Sequence, residues 1–290
     1  MAIWQLLIVL FAAVLHASWN IASKFGAGAG YFFAFAFSLF SFFIYLPWVI
    51  YILMTEGISP TFEVVFILAL TAVVHLFYGL ALLKGYQKAN LSVVYPVSRG
   101  SGPLIASLVA LGLFNETLSA WELLGIFSLC VGVLLIAAKE KLSDLFGRSE
   151  AWVGVRWGVF IGTIIASYSI IDAYAVKTLA LPPVLVGWVA SLGGALLLLP
   201  KVLNNTAALR TQMRGIWLYA CFVGFFSPLT YILVLYVLSQ GAPVSIVAPL
   251  RESSMVFGAL AGVWLFKERV STPGWVGCLL IFAGIFLVAT

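Results

Sequence analysis

Long apolar segments alternate with short polar or turn-forming breaks along the whole of this 290-residue chain. They fall at 3–23, 31–54, 62–83, 91–113, 120–138, 153–175, 183–203, 215–237, 243–265 and 273–290. Breaks between them include Gly26-Ala-Gly28-Ala-Gly30, Glu56-Gly-Ile-Ser-Pro60, Lys88-Ala-Asn90, Asn115-Glu-Thr117, Leu181-Pro-Pro183 and Gln240-Gly-Ala-Pro243. Each segment is near the length of about 20 apolar residues that carries a helix across a bilayer. The strict apolar/polar alternation of a membrane β-barrel is absent. The pattern therefore predicts an all-α integral membrane protein of ten transmembrane helices. The first segment lacks the positively charged start of a secretory signal, so it is expected to stay as the first helix.

Internal repetition adds the next layer. With the chain shifted by 153 residues, Lys24 falls on Lys177, Pro47 on Pro200, Tyr78 on Tyr231, Ser92 on Ser245 and Pro96 on Pro249. After a one-residue slip the offset is 152, and Arg99 falls on Arg251, Phe114-x-Glu116 on Phe266-x-Glu268, Gly125 on Gly277 and Gly132 on Gly284. Apolar matches arise from composition alone, but matches at Lys, Pro, Tyr, Arg and Glu in one register do not. The expected organisation is a five-helix repeat over 1–138, a polar linker over 139–152 and a second five-helix repeat over 153–290. An odd number of spans per repeat makes the second copy enter the bilayer from the opposite side. Inverted repeats are the architecture of secondary transporters, where exchanging the conformations of the two copies turns an outward-facing shape inward.

Composition agrees with lipid as the solvent, since 63% of residues are apolar and 9% charged, against roughly 45–50% and about 25% in soluble domains. The net charge of +5 does not signal a nucleic-acid partner, because no run of four Lys/Arg occurs. Basic residues gather in the loops after odd-numbered spans (Lys24; Lys84, Lys88; Lys139, Lys141, Arg148, Arg156; Lys201, Arg210, Arg214; Lys267, Arg269), with only Lys177 after an even one. By the positive-inside rule this places the odd loops in the cytoplasm and both termini outside. Cys130, Cys221 and Cys278 lie inside apolar stretches without metal-ligand spacing and are expected to be buried hydrophobes.

The opening Leu15-His-Ala-Ser-Trp-Asn20 with Lys24 carries a family resemblance. So do Pro96 to Arg99 with its partner Pro249-Leu-Arg251, and the repeat ends Leu113-Phe-Asn-Glu116 and Leu265-Phe-Lys-Glu268. Together they resemble the drug/metabolite transporter superfamily, in its ten-helix EamA-type branch. That resemblance covers essentially the whole chain and implies transport of amino acids, metabolites, drugs or sugar-linked compounds. It also implies cytoplasmic termini, opposite to the loop charges.

Ionisable groups at membrane depth cost about 2.5–3.5 kcal/mol each on insertion scales and need a partner or a cavity. Arg99 and Arg251, at matched positions after Pro96 and Pro249, are the candidates for binding an anionic group. The two prolines are expected to break their helices and act in gating. Asp172, Glu252 and His75 are the candidates for ion coupling, the two carboxylates serving equally well as structural partners of the arginines. His16, Trp19 and Asn20 share one helical face, and with Tyr78, Tyr95, Tyr168 and Tyr231 complete the expected substrate-binding set. Glycines in spans 5, 7 and 10 are expected to permit close helix packing.

No nucleophile elbow, zinc spacing or phosphate loop occurs, so an enzyme, a metal or cofactor, and ATP-driven transport within this chain are not expected. The reading is a secondary active transporter in a bacterial inner membrane, its oligomeric state left open, moving a small metabolite such as an amino acid or other anionic compound by alternating access. The alternatives are a flippase of a lipid or lipid-linked intermediate, and a multidrug or cation exporter on the same fold.

Overall fold

A computed structural model describes residues 1–89, 91–137, 149–267 and 270–289. The described residues are all helical or connecting, without a strand. In order they form α1 (Ile3–Gly26), a 3-10 turn (Ala27–Ala29), α2 (Tyr31–Thr55), α3 (Phe62–Lys88), α4 (Leu91–Leu113), α5 (Ala120–Ala137), α6 (Ser149–Lys177), α7 (Pro183–Leu203), α8 (Thr206–Gln212), α9 (Trp217–Ser239), α10 (Val244–Arg251), α11 (Ser254–Phe266) and α12 (Thr272–Ala289). Gly30, at φ 52° and ψ −122°, turns the chain from the 3-10 segment straight into α2, a conformation that side chains with a Cβ avoid. Most of the linker expected over 139–152, and Glu268, lie outside the described residues.

Among the described residues, eight helical stretches are long and apolar enough to cross a bilayer, among them Phe62–Leu82, Trp152–Lys177 and Val244–Leu265, and Ala120–Ile136 is a shorter apolar helix. Many large apolar side chains point outward, including Met54, Phe62, Leu218 and Trp264, each about four-fifths exposed. Water would not tolerate that surface, whereas lipid solvates it. The chain is an integral, multi-pass all-α membrane protein.

The helices group into two compact units. Unit 1 comprises Met1–Ala13, Phe77–Ile170 and Gly241–Thr290; unit 2 comprises Val14–Leu76 and Ile171–Gln240.

Unit 1 is built around the antiparallel pairing of α5 and α12, the last helices of the two repeats expected from the sequence. Their contacts obey the repeat register. Gly125 lies against Gly284 and Val288, and its repeat-mate Gly277 lies against Gly132 and Ile136. At the centre the Ser128 hydroxyl donates to the carbonyl of Leu280, its own repeat-mate, at 2.7 Å. Each contact thus has a matched counterpart, the signature of a two-fold relation between equivalent surfaces. A Cβ at Gly132 would stand 2.7 Å from the Gly277 carbonyl oxygen, so the approach needs glycine.

Also in unit 1, the α4 helix packs along a small-residue stripe on α6. Cβ atoms at Gly154 and Gly158 would meet Val93 and Val97 at 2.8 and 2.5 Å, and one at Gly162 would meet the Gly102 backbone nitrogen at 2.9 Å. This stripe fixes the height and rotation of α4. The break expected at Pro96 does not occur: α4 runs unbroken through Pro96 and Pro103. Ser98 and Ser101 hydroxyls donate to the carbonyls of Tyr95 and Val97, taking up backbone acceptors between the two prolines. The matched span does break. Helix α10 ends at Arg251, Glu252 and Ser253 form a turn, and α11 begins at Ser254. Pro249 has no N–H to offer the Ser245 carbonyl four residues back. The Ser107 hydroxyl of α4 donates to that carbonyl instead, at 2.7 Å. Every residue of α10 is buried, which is where a membrane protein tolerates irregular backbone.

Unit 2 packs α2 against α7 and α9. Phe32, Phe33, Ala36, Ala220 and Val223 form one apolar cluster, and Tyr45, Val49, Val184, Leu185 and Ile232 another. Pro228 leaves the Gly224 carbonyl without its helical partner, and the Ser41 hydroxyl donates to it at 2.9 Å. Tyr45 donates to the next carbonyl, Phe225, at 2.6 Å. The same device, a serine of the first half serving a carbonyl freed by a proline of the second, thus operates in both units.

Candidate functional site

In unit 1 the junction of α10 and α11 carries four consecutive buried polar residues, Arg251, Glu252, Ser253 and Ser254. One Glu252 carboxylate oxygen lies 3.4 Å from an Arg251 guanidinium nitrogen, and the other lies 3.5 Å from Arg99. The two repeat-matched arginines therefore share one carboxylate. Both distances are longer than the 2.7–2.9 Å of a tight charge-assisted hydrogen bond. Arg99 keeps further N–H donors of its planar fork beyond the one directed at Glu252.

Tyr95, one helical turn before Arg99, places its ring 5.5 Å from the guanidinium carbon, close enough for a cation–π attraction. Tyr78 and Tyr168 meet edge to face at 5.6 Å, in the neighbourhood of Arg99. The Ser253 hydroxyl is buried without a hydrogen-bond partner among the described residues. It stands where the 13-residue helix α11 begins, at the positive end of that helix's dipole. The turn thus sets a helix N-terminus and a buried hydroxyl next to the Glu252 that the two arginines share, with Tyr95 against Arg99.

Glu116 acts at the opposite end of α10 from this turn. Its carboxylate accepts the Val244 and Ser245 backbone N–H groups at 2.7 and 2.9 Å and the Ser245 hydroxyl at 2.6 Å. The Glu of the Phe-x-Glu turn thus caps α10 and anchors the helix that carries Arg251.

Unit 2 holds a separate polar cluster. Asp172 of α6 is fully buried. Thr71 of α3 donates to its Oδ1 at 2.7 Å, and Tyr231 of α9 donates to its Oδ2 through a short hydrogen bond. His75 Nε2 lies 3.6 Å from the same Oδ2, and its Nδ1 lies 3.0 Å from the Thr71 carbonyl oxygen.

The structure therefore brings Arg99, Arg251, Glu252, Tyr78, Tyr95 and Tyr168 together in unit 1, and Asp172, His75 and Tyr231 together in unit 2. The repeat-matched Tyr78 and Tyr231 belong to different clusters. His16 and Trp19 meet edge to face at 4.8 Å in unit 2. The Trp19 indole N–H is buried without a hydrogen-bond partner among the described residues. Asn20 is exposed and spends its amide N–H on the His16 carbonyl. Thr71, Ser107, Ser253 and the capping role of Glu116 escaped the sequence reading. Only the Phe-x-Glu repetition could have pointed to the last of them.

The comparisons bear on fold and family. Residues 152–290 match the model of the EamA-like transporter family. A solved structure described only as the crystal structure of a protein is similar over 100% of this chain and 97% of its own, with a TM-score of 0.75 at 16% identity. That likeness concerns the fold. No curated protein matches the chain. Over residues 152–290 the chain is therefore similar to the EamA-like transporter family, a likeness consistent with the drug/metabolite transporter superfamily.

Proposed function

We propose that the protein is a secondary transporter that moves a small organic anion, such as an amino acid or an organophosphate, by alternating access. The observation that carries this reading is the pair of repeat-matched arginines sharing Glu252 at a broken, buried helix. Discontinuous helices with half-helix N-termini aimed at an anionic group are a recurrent substrate site in transporters. The substrate's carboxylate or phosphate joins the Arg99 fork and the Ser253 hydroxyl, and Tyr78, Tyr95 and Tyr168 pack on its apolar part.

The register-matched, antiparallel crossing of α5 and α12 supports the inverted-repeat half of the proposal. Five spans in each of two repeats, 1–138 and 153–290, supply two copies able to exchange conformations. With both ends of the pairing locked by glycines, the flexible elements are those next to Pro249 and the α10–α11 turn.

A thermal-shift screen of the purified protein against separate sets of anionic and cationic metabolites tests the reading. Anions are expected to raise the melting temperature of the wild type, and to lose that effect in Arg99→Ala. Stabilisation by cations, or by anions to the same degree in Arg99→Ala, refutes it.

A further inference from the structure

We infer that one end of unit 2, where α1 and α7 stop and α2 and α9 begin, is a docking surface for anionic phospholipid headgroups. The inference goes beyond the transport reading and holds whether or not the Arg99 site carries a substrate.

Charge is divided unevenly along this unit. Its stretches 14–55 and 178–240 contain no Asp or Glu, and their cations are Lys24, Lys201, Arg210 and Arg214. All of these are exposed, and all lie at the same end. Lys24 is in the last turn of α1, Lys201 in the last turn of α7, Arg210 in α8, and Arg214 between α8 and α9. The acidic residues of the unit are Glu56, Glu63 and Asp172. Glu56 caps the far end of α2, Glu63 begins α3 and accepts from the Tyr174 hydroxyl, and Asp172 is fully buried. A gathering of like charge on stretches of chain that hold no carboxylate attracts an anion.

The packing of α8 says what kind of anion. Ala208 and Leu209 pack against the apolar cluster of Phe32, Val202 and Ala220, and Met213, four residues after Leu209, is fully buried in it. Residues four apart share a helical face, so Leu209 and Met213 hold α8 down on the ends of the long helices. Arg210 and Arg214 follow them by one residue each and stay exposed.

Large apolar and aromatic side chains are exposed beside the charges. Leu203 ends α7, and Trp217, Leu218 and Tyr219 begin α9, with Tyr219 stacked on Phe25 at 4.7 Å. The Lys201 ammonium lies 4.3 Å from the ring centre of Tyr31, the first residue of α2. Trp and Tyr set next to Lys and Arg at the ends of apolar spans are the make-up of a membrane–water interface. A soluble phosphate satisfies the cations alone. An anionic phospholipid satisfies both sets, its phosphate on the cations and its chains on the exposed apolar side chains.

Native mass spectrometry of the purified protein tests this. The protein is released from neutral detergent micelles doped with phosphatidylglycerol or with phosphatidylcholine, and the affinity for the first lipid bound is read. The wild type is expected to bind phosphatidylglycerol more tightly than phosphatidylcholine. Each Lys or Arg near an anionic surface is worth about five-fold in affinity. The double variant Arg210→Gln/Arg214→Gln should therefore bind phosphatidylglycerol about 25-fold more weakly, with phosphatidylcholine unchanged. Lys177→Gln, at the other end of the unit, should keep the wild-type preference. Equal affinity of the wild type for the two lipids overturns the proposal without any variant. So does a double variant that keeps the preference, or a loss as large in Lys177→Gln. Displacement of the lipid by an equal concentration of glycerol 3-phosphate would mark a soluble-anion site and overturn the lipid assignment.

Discussion

Replacing Gly132 by alanine tests the α5–α12 crossing in detail. The new Cβ would stand 2.7 Å from the Gly277 carbonyl oxygen and 3.1 Å from the Ile281 backbone nitrogen, where ordinary contact begins at 3.4 Å. Neither neighbour is a flexible side chain, so the helices must part by about 0.7 Å, enough to forfeit a quarter to a half of each contact's dispersion energy. Overpacking of this kind costs about 1–3 kcal/mol. The repeat-mate Gly284 faces the Gly125 carbonyl oxygen at 2.7 Å and the Leu129 backbone nitrogen at 3.0 Å, so Gly284→Ala is expected to cost the same. The double variant should cost less than the two singles together, because the first parting makes room for the second. Gly112→Ala on α4, whose Cβ would meet nothing within 4 Å, serves as control. It is expected to be neutral or to stabilise by about 0.5–1 kcal/mol, the helix preference of alanine over glycine. Unfolding titrations in mixed detergent micelles read all four differences. Equal stability of Gly132→Ala and Gly112→Ala would refute the packing argument, and a large gap between Gly132→Ala and Gly284→Ala would refute the two-fold symmetry.

Glu116→Gln replaces one of two accepting oxygens by a donor and leaves an N–H or hydroxyl at the α10 start unsatisfied. It is expected to lose about 1–3 kcal/mol of stability in the same titration, and to weaken stabilisation by the anion set because α10 carries Arg251; an unchanged protein on both counts contradicts the anchoring role. Gly158→Val pushes α4 off its stripe on α6 and displaces Arg99, so anion stabilisation should fall even where the protein still folds; retention of the full shift contradicts that positioning.

Much of the fold was legible because lipid imposes a simple rule. A span needs its full length of apolar residues, so nearly every helix begins and ends within a few residues of the apolar segments. Helix α6 starts earlier than its apolar segment, at Ser149. The seven-residue α8 was not legible, because nothing apolar marks a short helix between two spans. The pairing of Arg99 and Arg251 followed from the cost of burying charge and from the repeat register. The identity of their partner did not, since Glu252 and Asp172 were equal candidates by chemistry. Thr71 joins Asp172 across 101 residues of sequence, and no local pattern announces a hydrogen bond of that separation. Pro96 and Pro249 look alike in sequence and differ in effect. The outcome depends on where the backbone's freed acceptors find donors, and on a turn at 252–253 that only tertiary packing determines.

The proposed transport cycle is tested most directly by counterflow in liposomes containing the purified protein. Labelled anionic metabolites outside, with the same unlabelled compounds inside, should be taken up faster than into empty vesicles, saturably, and not in Arg99→Ala. Uptake that rises linearly with concentration, shows no stimulation from the far side, or persists in Arg99→Ala would contradict alternating access through the Arg99 site.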